Sequence, residues 1–180
     1  MTFNDCTAEC GSYFALTHCV NGWQEEVADI TVTGGDIHTK KECVLVKSHN
    51  MMLDLCDVNI SSDKGILVHT IVNDDPCATK VTKDVFGVNV VMTDMDVKGD
   101  LLHEDTTREM WVMLNSTQLT GAIQHANVAF DKGSKWIATA DSDVVFVTDV
   151  EPAQIDAPAG VTITAKGAEA GEFVLASGGK

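Results

Sequence analysis

Arginine is almost absent from this chain: Arg108 is the only one in 180 residues. Cations are scarce altogether, 12 Lys+Arg against 27 Asp+Glu, for a formal charge of −15. Such a surface repels phosphate, which argues against nucleic acid and anionic membrane as partners. Neutral or cationic ligands and hard cations, calcium above all, stay compatible, and the charge also serves solubility alone. No apolar run reaches the roughly 18–20 residues that cross a bilayer, so membrane insertion is not expected. The N-terminal Met1-Thr-Phe-Asn-Asp-Cys6 has no basic region followed by an apolar stretch, and no signal peptide is expected within the chain. The six cysteines, Cys6, Cys10, Cys19, Cys43, Cys56 and Cys77, form no CxxC pair, so zinc-ribbon and thioredoxin readings lack support. Disulfides of undetermined pairing stand against free thiols packed as small hydrophobes, the preferred reading.

Long segments of 3.6-residue periodicity are missing too, apart from a turn near residues 8–21. The Asn-Gly hairpin dipeptide occurs once, at Asn21-Gly22, which separates no matching strands and weakens an antiparallel sandwich. What the chain does have is short alternating apolar runs. Each reads as a strand with one buried face. Their second apolar residues are Val32, Leu55, Met92, Leu114, Phe130, Phe146 and Ile163, at intervals of 23, 37, 22, 16, 16 and 17. A second column follows five residues on, at Ile37, Ile60, Val97 and Leu119, with Trp136 six after Phe130. A third runs through Tyr13–Leu16, Cys43–Val46, Gly65–Val68, Asp100–Leu102 and Gly121–Ile123.

Three short strands per turn, with similar residues stacked turn on turn, is how a parallel β-helix buries its core. The expected fold is therefore all-β, a single-stranded right-handed parallel β-helix (solenoid). Its coils hold about 22 residues and shorten to about 16 toward the C-terminus. Residues 1–180 are expected to form one domain, compatible with a fragment of a longer solenoid. The long interval marks an inserted loop at 73–86, where Asp74-Asp-Pro76 supplies turn chemistry. No capping element is visible at either end, so end-to-end self-association through strand edges is expected.

Three segments carry a family resemblance: Leu119-Thr-Gly-Ala-Ile123, Val128-Ala-Phe-Asp-Lys-Gly-Ser-Lys-Trp136 and Ala140-Asp-Ser-Asp-Val144. They resemble the small-coil segments of autotransporter-like and adhesin-like right-handed β-helix proteins secreted by gut and rumen anaerobes. The resemblance covers about the last 100 residues; the first 80 are similar only in strand pattern. It implies an extracellular or cell-surface location and contact with carbohydrate or a cell-surface glycan, and it includes no catalytic component. The cysteine-rich start departs from the family pattern.

Stacking turns scattered residues into neighbours, since adjacent strands lie about 4.8 Å apart. His69, His103, Glu104 and His125 follow the third-column strands and could share one patch, either a transition-metal set or a solvated corner. Asp94, Asp96 and Asp100, with Asp57 stacked near Asp94, suit calcium or are solvated turn residues. Asp141, Asp143 and Asp149 form a later acidic group. Trp111 alternates with the buried-side Val112, so its ring is expected to face solvent and stack on a sugar. Lys47, His69 and His125 are the accompanying ligand-binding candidates. The expected function is a non-catalytic carbohydrate-binding or adhesive surface. The alternative is a hydrolase or lyase acting on polysaccharide or ester bonds, with His103, Glu104 and Asp94 as its catalytic candidates. Ser48-His49 followed by Asp54 lacks the Gly-x-Ser-x-Gly elbow of a nucleophilic hydrolase.

Overall fold

β-branched and aliphatic residues at alternate positions make strands that are apolar on one face, and parallel neighbours bury that face row by row. A computed structural model describes residues 1–19, 26–75, 86–105, 107–167 and 174–180. In chain order the first pass holds β1 (Thr2–Cys10) and β2 (Ala15–His18), and the second β3 (Val27–Thr39) and β4 (Val44–Lys47). The third holds β5 (Asn50–Cys56), β6 (Asn59–Ser62) and β7 (Ile66–Ile71), and the fourth β8 (Val88–Thr93), β9 (Asp96–Lys98) and β10 (Asp100–His103). Next come β11 (Met110–Asn115), β12 (Gln118–Thr120) and β13 (Ile123–Phe130), then β14 (Lys135–Ile137) and β15 (Ser142–Phe146). A 3₁₀ turn at Pro152–Gln154 leads to β16 (Ile155–Asp156) and β17 (Ile163–Lys166).

The chain is all-β, and its strands pair in parallel. The larger, curled sheet has 13 strands, with β1-β3-β5-β8-β11-β13-β10-β7-β4-β2 as successive neighbours, so both ends of that path lie in the first pass. The smaller sheet is β16-β14-β12-β9. Val32, Leu55, Met92, Leu114 and Phe130 stand in one register row, as their spacing predicts. Ile37 pairs with Ile60, and Val97, Leu119 and Trp136 form a row of their own. These rows, with Val44, Val68, Leu101 and Ile123, make one continuous buried core.

Past Phe130 the expected register fails. Phe146 pairs with Val128 and not with Phe130, and Ile163 pairs with Ser142 and not with Phe146. Offsets therefore grow from 16 (Val112 to Val128) through 18 (Val128 to Phe146) to 21 (Ser142 to Ile163). At the irregularity between Gln124 and Ala126, where His125 adopts φ +57°, the offset drops by one, from 19 (Gln124 to Asp143) to 18 (Ala126 to Val144). The third column also slips: Leu16, Leu45, His69, Leu102 and Gln124 share a row, one residue away from the expected Val46, Val68 and Ile123. Because side chains alternate, a slip of one exchanges the inner and outer faces.

The corners explain how the rows stay in register. Between the first and second columns, Gly34, Asp57, Asp94 and Ser116 all take positive φ, from 47° to 68°. Asx residues and glycine tolerate that left-handed conformation, and each reverses the inward face for the next strand. At another corner Gly121 runs against Gly99, where an added Cβ would sit 2.0 Å from the Gly99 carbonyl oxygen. The expected loop at 73–86 lies, for residues 76–85, outside the described residues. Its first part is anchored: Asn73 is buried, donates to the Cys19 carbonyl at 2.8 Å and accepts from the Asp75 amide at 3.1 Å. Cys6, Cys10, Cys19, Cys43 and Cys56 are free thiols, with Cys19 and Cys43 fully buried. Burial pushes the Cys43 thiol up to about 11, against a lowering hydrogen bond from Thr39.

Candidate functional site

The histidine patch is divided by the alternation of β10. His103 points inward and is buried beneath the corner that follows β10. Its Nε2 donates to the Arg108 carbonyl at 3.1 Å, which leaves Nδ1 to accept from the Thr70 hydroxyl. Both ring nitrogens are thus engaged in a neutral imidazole. His69 faces the other way, with Nδ1 3.7 Å from Glu42 and Nε2 3.5 Å from Glu104. His125 is exposed and its Nδ1 donates to the His103 carbonyl at 3.1 Å. The structure therefore brings His69 and Glu104 together and leaves His103 and His125 apart from them. Lys47 reaches Asp74 and Asp75, each at 3.2 Å, and these contacts, the Asp75 hydrogen bond foremost, raise its pKa.

The acidic residues divide as well. Asp94 and Asp96 line an open depression of about 240 Å³ together with Asp57, Asn59 and Gly35. Asp100 lies at another corner, where its carboxylate accepts the Ala122 amide at 2.8 Å. Among the described residues no group of three His, Cys, Asp or Glu side chains is placed to hold a metal ion.

Burial of a charged form has a measurable consequence. Desolvation foremost lowers the pKa of His103 and of His49. A histidine depressed in the folded state binds its proton more readily when unfolded, so its contribution is present above about pH 6.5 and lost as pH falls below it. Thermal melts are expected to hold level from pH 8 to 7 and to fall from pH 6.5 to 5. The His103→Gln variant should flatten that slope; an unchanged slope would remove His103 as its source.

The outer face of the first-column strands carries the aromatic candidate. Trp111 is 38% exposed and Met113, two residues on, is 46% exposed. In register with Trp111 stand Asn89 on one neighbouring strand and Asn127 on the other. Beyond them the row continues to Met52 and Val145. An aromatic ring therefore has an amide on each side at about the 4.8 Å strand spacing. The amides could have been found from sequence, since 89 and 127 are offset from 111 by the same 22 and 16 residues as the strands themselves.

The same strand, β13, connects this row to a polar depression of about 460 Å³ lined by Gln124, His125, Asp141, Ser142, Asp143, Thr162 and Thr164. Gln124 stands in the third-column row and Asn127 in the first-column row, with His125 at φ +57° between them. Trp136 is fully buried, with Nε1 donating to the Gly121 carbonyl at 2.8 Å, and Trp23 lies outside the described residues. Neither a family model, a curated protein nor a solved structure matches this chain.

Proposed function

We propose that this chain is a right-handed parallel β-helix whose outer face binds carbohydrate without turning it over, at the cell surface or outside the cell. The observation that carries the reading is Trp111, exposed and flanked in register by Asn89 and Asn127. A pyranose stacks an apolar face on an aromatic ring, while amides to either side bond its hydroxyls. The depression lined by Gln124 and Asp143 offers a separate set of polar groups. The acidic surface favours neutral over anionic glycans. The resemblance to adhesin-like solenoids points the same way.

Titration calorimetry against neutral plant and microbial oligosaccharides tests the reading, with and without calcium. Trp111→Ala is expected to weaken binding at least tenfold, with Tm little changed because the ring is half in solvent. Binding that survives Trp111→Ala unaltered would sink this site. The second reading, a hydrolase or lyase, finds its support in the depression, where His125 lies beside Asp141 and Asp143. Turnover of polysaccharide or ester substrates that disappears in His125→Ala or Asp143→Asn would favour it over the binding surface.

A further inference from the structure

The face that carries Trp111 is layered along its strands. Trp111 stands in a row between Asn89 and Asn127, and two residues on Met113 stands between Val91 and Ala129. Two residues further, Asn115 pairs with Thr93. Side chains two apart on a strand share a face, so these rows lie side by side on the outer surface at intervals of about 7 Å.

The rows differ in what they leave to a ligand. Asn115 already uses its amide internally, with Nδ2 donating to the Thr93 hydroxyl at 3.4 Å. Asn89 Nδ2 reaches only the Phe86 carbonyl, at 3.5 Å. The Asn127 side chain makes no hydrogen bond among the described residues. Between these two polar rows Met113 is 46% exposed, with Val91 half-buried at its side. The apolar strip is therefore one residue wide. Stable protein interfaces bury about 800 Å² on each partner, far more than such a strip offers. Its width suits a single small apolar group.

We infer that the glycans bound on this face carry N-acetyl groups, the amide meeting Asn127 or Asn89 and the methyl lying on Met113 and Val91. The inference rests on the glycan reading of the Trp111 face and narrows its substrate class. A pyranose stacked on the indole projects its ring substituents toward the neighbouring rows. A hydroxyl projecting over Met113 gives up water and gains no partner there. An acetamido group in the same position offers an N–H and a carbonyl to an asparagine side chain, which holds one acceptor oxygen and two donor hydrogens. Its methyl then lies on the apolar strip, where the unbranched thioether of Met113 adapts to it. The group is uncharged, in keeping with a chain of charge −15. A buried methyl and one added hydrogen bond together amount to roughly tenfold in affinity.

Titration calorimetry on the full chain compares N-acetylglucosamine and N-acetylgalactosamine oligosaccharides with glucose and galactose oligosaccharides of the same linkage and length. The N-acetylated members are expected to bind roughly tenfold tighter than their counterparts. In Met113→Ser, shown to be folded by circular dichroism, that ratio should fall below about threefold, whereas Trp111→Ala should weaken both series alike. Any neutral oligosaccharide without N-acetyl groups that binds through Trp111 as tightly as the N-acetylated ones would overturn the inference and leave the glycan reading standing. Silence from every oligosaccharide would remove both. A ratio unchanged in folded Met113→Ser and Val91→Thr would also overturn the inference, since the methyl would then lie elsewhere. If Met113→Ser loses its β signal, Val91→Thr decides by the same criterion.

Discussion

Trp136→Ala is expected to cost about 3–5 kcal/mol, the usual range for emptying a large aromatic site in a core. The indole is fully buried between the Leu119 and Ile155 rows and has its Nε1 on the Gly121 carbonyl. Neighbours on adjacent strands are fixed by parallel ladders and cannot collapse into the void without breaking register. For a chain of this length the loss corresponds to a fall in Tm of roughly 10 °C. Trp136→Phe should lose less, since it keeps most of the apolar contact and forfeits the hydrogen bond. Chemical and thermal denaturation of the two variants beside Trp111→Ala makes the comparison. A Trp136→Ala protein as stable as Trp111→Ala would mean that the buried row does not support the stack.

Asp105→Asn comes next, at about 3 kcal/mol. Asp105 and the Arg108 side chain are almost wholly excluded from solvent, and their charged atoms are 3.7 Å apart. Arg108 also bonds Asn50 through Nε at 3.4 Å and Thr107 through Nη1 at 3.2 Å, while Nη2 has no hydrogen-bond partner among the described residues. Removing the carboxylate charge leaves a buried guanidinium uncompensated, and breaking one side of such a pair is far costlier than removing both. Asparagine can still accept the Thr107 amide that Asp105 now accepts at 3.0 Å, so the local turn survives and the charge is what is tested. The double variant Asp105→Asn/Arg108→Met should recover at least 1 kcal/mol relative to the single one. A double variant no more stable than Asp105→Asn, in urea titrations at pH 7.5, would show that the pair is not the source of the loss.

The buried pair also shows where sequence reading reached its limit. Arg108 stands out by composition, as the only arginine, yet its burial depends on Asn50, 58 positions earlier in the chain. The same holds for His103. Its neighbours in sequence suggested an outward patch with Glu104, but the row that places Thr70 beside it turns the imidazole inward. His69 and Glu104, by contrast, do meet, because both lie on the outer side of that column. Trp111 could be read as outward from its alternation with Val112, a purely local fact. Asn89 and Asn127 needed the register as well, which the strand spacing already contained.

The sequence by itself determined that the chain is all-β, where most strands lie, and which residues share the first-column row as far as Phe130. Alternation with period 2 and recurring spacing are local properties of the chain, and they survive folding. Only the tertiary structure decided the third-column register, the inward turn of His103 and the register beyond Phe130. Each is a question of which residue opposes which, and a shift of one residue exchanges the two faces of a strand. That choice is made by packing against the next row, and no short stretch of sequence contains it.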